Sequence, residues 1–356
     1  MENNYEEWTD HEQQQPLRGQ AFINALLAEH ARLQEERAKD NGMFIMQTAN
    51  QWLQDASSQA VPQMLFSEYW HEGELCILFA DTNTGKSILA VQIADSISRG
   101  VPIPGFILTA QPQPVIYYDF ELFKKQFEAR YSVNYAQHYT FSNNLLRSEV
   151  DPDKEIPSSY TCKEEYLKDS IANCVMNSGA RVLIIDNLTY LRDETEKAKD
   201  ALPLMKELKE LKQQFGLSIL ALAHTPKRDM SKPLTRNDLS GSKMLMNFCD
   251  SSFCIGESST DKGLRYLKQI KARSTEIKYD SKSVQLCRIE KPYNFLQFSF
   301  IGYGDEYQHL KDEEQRDREW LVMRSKEMHD EGMTVREIAE ELGVSKSSVS
   351  IYINAA

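Results

Sequence analysis

The run Leu75-Cys76-Ile77-Leu78-Phe79-Ala80-Asp81-Thr82-Asn83-Thr84-Gly85-Lys86-Ser87 constrains this chain more than any other segment. Six apolar residues read as a buried strand. A tight polar loop follows, and Gly-Lys-Ser opens a helical pattern. Such a loop, Ala80 through Ser87, wraps a polyphosphate with its backbone N–H groups. Lys86 reaches the β- and γ-phosphates, and the Ser87 hydroxyl can hold Mg²⁺. The helix expected over Ser87–Arg99 aims its positive N-terminal end at the same anion. Its positions Ile88, Leu89, Val91, Ile93 and Ile97 supply a face for packing on a sheet. Ala80 stands where the first glycine of such loops usually is. Alanine fits there if its φ stays negative.

The 356 residues, 41% hydrophobic and 26% charged, allow one large α/β domain with smaller appendages. No apolar run approaches the ~20 residues of a membrane span. Met1–Gln15 lacks the basic-then-apolar pattern of a leader. Cys76, Cys162, Cys174, Cys249, Cys254 and Cys287 form no C-x-x-C pair and are expected as buried thiols of a reducing compartment. These features describe a soluble cytoplasmic protein with no membrane partner. A net charge of −12 argues against a basic outer surface. It leaves room for an enclosed channel that is locally basic.

Five segments follow from the patterning. Residues 1–18 are polar and Gln-rich and are expected to be disordered. Residues 19–59 form a helical arm, with Phe22, Ile23, Leu26, Leu27, His30 and Leu33 on one face; it packs either on the core or on a neighbouring subunit. Residues 60–302 alternate strand and helix patterns, as a mostly parallel sheet covered by helices does. Its later strands are Pro114–Glu121, Arg181–Asp186 and Leu217–Ala223. A helix spans Leu202–Phe215. Gly263–Lys271, Lys282–Arg288 and Asn294–Phe300 read as antiparallel strands. Residues 303–318 are a charged linker. Residues 319–356 hold a helix at Trp320–His329 and helix–turn–helix spacing over Thr334–Tyr352, with Gly343 in the turn and Ser345 as a cap.

Other acids and cations narrow the chemistry. Asp186 ends an apolar strand at the sheet edge where ligands bind, and its carboxylate can hold Mg²⁺. Asp119 and Glu121 end the neighbouring strand. Either can orient or deprotonate an attacking water, and Glu121 is preferred. His224 ends a third strand, placed to touch a γ-phosphate. Beyond it, Thr225–Asn237 concentrates Lys227, Arg228, Lys232 and Arg236 on an acidic chain, which suits a nucleic-acid backbone. Lys271 and Arg273 project on the same side of a strand. They are either exposed surface charges or cations inserted into a neighbour's site. In the C-terminal module Lys346, Ser347 and Ser348 are candidates for DNA contact, unless the module contacts protein.

In this order the motifs resemble the RecA-like hexameric helicase superfamily. The nearest likeness is to RepA-type plasmid helicases and related mobile-element ATPases, and to the motor domain of DnaB-type helicases. The resemblance covers roughly residues 60–302. It rests on Ala80-x-x-x-x-Gly85-Lys86-Ser87, on Val115–Glu121 with Arg130 beyond, and on Ile184-Ile185-Asp186-Asn187. It continues through Ala223-His224-Thr225, Asp238–Lys243 and Lys271-Ala272-Arg273. It implies a RecA-like P-loop ATPase core with antiparallel C-terminal strands, joined to a small all-α helix–turn–helix domain. It implies ATP and Mg²⁺ as cofactors, Glu121 as catalytic base, Asp186 as the metal carboxylate and His224 as γ-phosphate sensor. Lys271 and Arg273 would act in trans within a hexameric ring, and the loop after His224 would line a channel for single-stranded DNA. Departures are Ala80 and the Pro226-Lys227 pair, which replaces the Lys-Gly often found after the histidine. The alternatives are an ATP-switched regulator or initiation factor that binds duplex DNA, and a kinase on a RecA-like core.

Overall fold

The computed structural model describes residues 27–29, 32, 42–191, 201–239, 242–311 and 313–355. The expected disorder of 1–18, residues 19–26, 30, 31 and 33–41 of the arm, and Ser240 and Gly241 of the Asp238–Lys243 motif lie outside them. The chain divides into two units, 1–61 and 62–356. In the first, a helix α1 (Ala49–Ser57) starts at Thr48, whose hydroxyl accepts from the Gln51 N–H at 3.2 Å. This helix falls within the expected arm; of the apolar face expected at Phe22–Leu33, only residues 27–29 and 32 are described, and they are helical.

The second unit begins with a small hairpin, β1 (Met64–Phe66) and β2 (Trp70–His71). There follow β3 (Leu75–Ala80), α2 (Lys86–Arg99), β4 (Val115–Asp119) and α3 (Lys124–Arg130). A second hairpin, β5 (Ser132–Val133) and β6 (Gln137–His138), precedes β7 (Leu145–Ser148). Then come α4 (Lys163–Ser178), β8 (Val182–Asp186), α5 (Ala201–Phe215), β9 (Ser218–His224) and α6 (Ser242–Phe248). β10 (Ser251–Glu257), β11 (Leu264–Lys271), β12 (Val284–Glu290) and β13 (Gln297–Gly304) complete the sheet.

The nine-stranded sheet runs β13-β12-β11-β10-β3-β9-β8-β4-β7. The six strands from β10 to β7 are parallel, and β11 to β13 are antiparallel. This is the expected RecA-like α/β architecture. One strand, β9, separates the loop-bearing β3 from β8. The central strands of the sheet are buried on both faces, so β3 feeds two cores alternately: Cys76, Leu78 and Ala80 one, Leu75, Ile77 and Phe79 the other. Each fully buried Leu or Ile contributes roughly 1.5–3 kcal/mol. That burial holds the strand ends in fixed register, and the functional side chains stand on those ends.

The expected strands are present within a few residues. β7, α4 and β10 were not anticipated. All six cysteines are free; Cys76, Cys249, Cys254 and Cys287 are buried, whereas Cys162 is exposed, against expectation. The segment 303–318 is not a plain linker. Glu306 within it is fully buried and pairs with Lys268 at 2.6 Å. Beyond it α7 (Glu313–Asp330), α8 (Val335–Glu341) and α9 (Lys346–Ile353) pack around Met328, Ile338, Ala339 and Val349. Thr334 and Glu337 form a capping box, Gly343 turns the chain at φ 64°, and the Ser345 hydroxyl accepts from Ser348 N–H at 3.1 Å. No described helix is long and apolar enough to cross a membrane.

Candidate active site

Ala80 is the last residue of β3 and pairs with His224 on one side and Ile255 on the other. Its φ is not positive, so this position needs no glycine. The left-handed positions of the loop are Asn83, at φ 63°, and Gly85, at φ 104°. A Cβ on Gly85 would lie 2.7 Å from Ile289 and 2.9 Å from the Phe298 ring, so β12 and β13 press the loop closed from behind. Thr84 is buried, its hydroxyl donating to Asp81 C=O at 2.8 Å, while Thr82 and Asn83 face outward.

Lys86 is buried inside the turn. Its ammonium donates to the carbonyls of Ala80 and Asp81, each at 2.9 Å, and to His224 Nδ1 at 3.2 Å. Burial pulls its pKa below the usual lysine value, against the pull of Asp186, Glu121 and Asp81. An ammonium has only protons to give, so His224 Nδ1 accepts and the ring proton sits on Nε2. Nε2 lies 3.5 Å from Glu121 Oε1. Asn187 Nδ2, 3.2 Å from the same nitrogen, gives its proton to Glu121 Oε1 instead. Hydrogen bonding to His224 holds the Glu121 carboxyl below its usual pKa, with Lys86 and Asn187 adding to the effect. Lys86, His224 and Glu121 thus form one continuous polar chain from the loop to the acid.

Asp119 has a different task. It is buried and pairs with Arg147 at 3.0 Å. Its other oxygen accepts from the N–H groups of Glu121 and Leu122 at 3.2 and 2.9 Å. It therefore fixes the turn that presents Glu121, and the half-exposed Glu121 is the acid left to face a substrate. A cavity of about 590 Å³ opens beside Glu121, walled by the stacked rings of Phe120 and Tyr190.

Asp186 stands in register with Asp119 and is 1% exposed. Burial pushes its carboxyl up to about 6, while hydrogen bonds from Ser87 and Tyr117 oppose the rise. The Tyr117 hydroxyl donates to its Oδ2 at 2.6 Å. A serine hydroxyl beside a carboxylate is a hard-oxygen pair that suits Mg²⁺, with phosphate oxygens supplying further ligands. Lys86 feels the charge of Asp186, but among the described residues no cation forms an ion pair with it, and such a buried carboxylate fits a site for a divalent ion.

The remaining sequence candidates lie elsewhere. Arg228 is not on the surface: its side chain is 4% exposed, with Nε 3.3 Å from Asp81 Oδ2 and Nη1 donating to Lys232 C=O. The Thr225 hydroxyl donates to the same Asp81 carboxylate. Two residues of the basic loop are therefore tied to the phosphate loop, and Arg228 cannot meet a DNA phosphate from this position. Lys227, Lys232 and Arg236 are exposed. Lys271 donates to the C=O groups of Met246 and Cys249 at 2.5 and 2.7 Å, closing the C-terminal end of α6, so it is not a free cation. Arg273 is 54% exposed and pairs with Asp250 at 3.2 Å.

Register puts Lys271 level with Ser252 and hence with Ile77, near the start of β3. Arg273 lies roughly 16 Å from the loop along the strand direction, on the opposite edge of its own sheet. In the C-terminal helices Lys346 and Ser347 are exposed at the start of α9, and Ser348 is half-buried.

A family model described as an AAA domain matches residues 43–230. The chain belongs to the AAA domain family. The matched stretch of this AAA domain protein includes the phosphate loop, Glu121, Asp186 and His224, and ends within the basic loop. Together with the strand order it makes the chain a RecA-like P-loop ATPase by family. Among solved structures it is similar to a KaiC-like protein, PH0186, from the hyperthermophilic archaeon Pyrococcus horikoshii OT3. That match has 14% identity over 65% of this chain and 91% of the other, with a TM-score of 0.44. No curated protein matches the chain.

Tyr117, Asn187 and Arg147 were not singled out as site residues from sequence. Tyr117 carried a usable signal: it lies two positions before Asp119 on one strand, hence on the same face.

Proposed function

We propose that this protein is an ATP-driven helicase or translocase on single-stranded DNA, of RepA-like type, serving replication or mobilisation of a plasmid, phage or mobile element. The observation that carries the reading is His224. It touches Lys86 on one side and faces Glu121 on the other, and the basic loop begins at the next residue. A change at the γ-phosphate is thereby felt where the loop starts.

In hydrolysis, the loop N–H groups and Lys86 hold the phosphates; Ser87 and Asp186 would hold a divalent ion, which would supply charge neutralisation. Glu121 takes a proton from water as the water oxygen bonds to the γ-phosphorus. The bond from that phosphorus to the bridging oxygen breaks, and ADP leaves with the electron pair. Arg273, remote from its own loop, serves the site of a neighbouring subunit, which makes the active form an oligomer, a hexameric ring. Lys227, Lys232 and Arg236 meet the DNA backbone.

The test is ATP hydrolysis with and without single strands. Stimulation is expected, with Glu121→Gln losing about 10²-fold or more while still binding nucleotide. Joint neutralisation of Lys227, Lys232 and Arg236 flattens the salt dependence of DNA binding. An ATPase indifferent to single strands, with unchanged salt slopes, would falsify the motor reading.

A second reading, an ATP-switched regulator of duplex DNA, is favoured by the exposed start of α9 with Lys346 and Ser347. Site-specific duplex binding without fork unwinding would select it.

A further inference from the structure

Three carboxylates crowd the carboxyl edge of the sheet, and each has a different partner. Asp119 has the Arg147 guanidinium. Glu121 has His224 and Asn187. Asp186 has the uncharged phenol of Tyr117. The first two partners serve acids that hold a turn or await a proton. The third serves the acid proposed as the metal carboxylate. A guanidinium at that place would repel a divalent cation. A phenol holds the carboxylate in one orientation and adds no positive charge.

The geometry supports this division. Tyr117 is 1% exposed, and its ring belongs to the core beneath α2, so it cannot swing. It stands one strand away from Asp186 and two residues back along its own strand, a diagonal that a long side chain spans. Burial and the nearby acids hold the phenol far from ionisation, so its oxygen donates.

We propose that Tyr117 is a positioning residue for divalent-cation binding: its hydroxyl clamps Asp186 Oδ2 and fixes the carboxylate beside Ser87. The proposal rests on Asp186 being the metal carboxylate. Tyr117 does not touch nucleotide or metal and acts through Asp186.

The test uses the full chain and a fluorescent ADP analogue. Tyr117→Phe removes one oxygen and keeps the ring. Analogue affinity in EDTA stays within about twofold of the parent protein, because the phosphate loop is untouched. The Mg²⁺ concentration for half-maximal metal-dependent binding rises about tenfold, the scale for loss of an outer partner of a metal ligand. Mn²⁺ binding with ADP, read by electron paramagnetic resonance, weakens in parallel. In an Asp186→Asn background, Tyr117→Phe adds no further change.

A Tyr117→Phe protein with the parent's Mg²⁺ midpoint overturns the proposal, and so does an equal loss of binding in EDTA. If Tyr117→Phe fails to fold, the double variant decides. Folding restored by Asp186→Asn shows that the phenol acts through the carboxylate, and folding lost in both makes Tyr117 a packing residue only. Unaltered metal dependence in Asp186→Asn alone removes the site reading itself, and the proposal with it.

Discussion

Asp186→Asn is predicted to make the metal-free protein more stable while ending hydrolysis. The carboxyl is 1% exposed, and its pKa stands at about 6 against the usual 3.8, with burial as the largest cause. A rise of that size corresponds to about 3 kcal/mol of penalty on the charged form in the folded protein. The sign follows from the raised value. The folded state holds this proton more tightly than the unfolded chain does. The penalty is therefore complete above about pH 6 and is relieved as pH falls towards 4, with about half left near pH 5. Asparagine keeps the shape and a carbonyl oxygen for the Tyr117 hydroxyl, but carries no charge. In EDTA at pH 8 the variant should be about 1–3 kcal/mol more stable in urea unfolding, and its melting temperature should rise by about 2–4 °C per kcal/mol. The advantage should shrink at pH 5 and be nearly gone at pH 4. With Mg²⁺ and ADP the order should reverse, because only the parent gains metal-linked binding energy. An asparagine variant less stable at pH 8, or one whose advantage ignores pH, would refute the reasoning.

Two further outcomes follow from the same geometry. Ala80→Gly, which restores the usual loop residue, should leave nucleotide affinity unchanged and cost roughly 0.5–1 kcal/mol of stability, since the position is strand and not turn; tighter binding by calorimetry would show that the loop is constrained there. Lys271→Met should destabilise the isolated chain by about 1–3 kcal/mol by stranding the carbonyls at the end of α6, whereas Arg273→Ala should leave stability nearly unchanged and lower only the activity of the assembled protein; equal melting temperatures for the two variants would contradict that division.

The phosphate loop, Asp186, Glu121 and His224 were legible in the sequence because each sits at the end of a long apolar strand. Burial on both faces makes such strands nearly continuous apolar runs, and the first polar residue after the run marks the sheet edge. What stayed hidden depends on register. Nothing local in Ser251–Glu257 announces that this strand lies beside β3, because that pairing joins residues far apart in the chain. Nor does spacing reveal that Lys271 is consumed by the carbonyls of α6, or that Arg228 turns inward to Asp81. A cation's sequence neighbours do not state its partner. The same limit hid Tyr117, which looks like core until the neighbouring strand brings Asp186 within reach.

Arg228 also changes how the basic loop must work if it meets DNA. A loop whose cations all faced outward could bind a strand without any link to the nucleotide. Here Arg228 and Thr225 both hold Asp81, whose own carbonyl accepts from Lys86. Lys86, proposed to grip the phosphates, and the root of the basic loop thus share one partner, Asp81. Rearrangement of Lys86 towards a polyphosphate removes a bond from Asp81, and the loop is anchored on that same residue. In the proposed motor the outward-facing Lys227, Lys232 and Arg236 would supply the contact, and the inward-facing Arg228 would supply the connection to the nucleotide site.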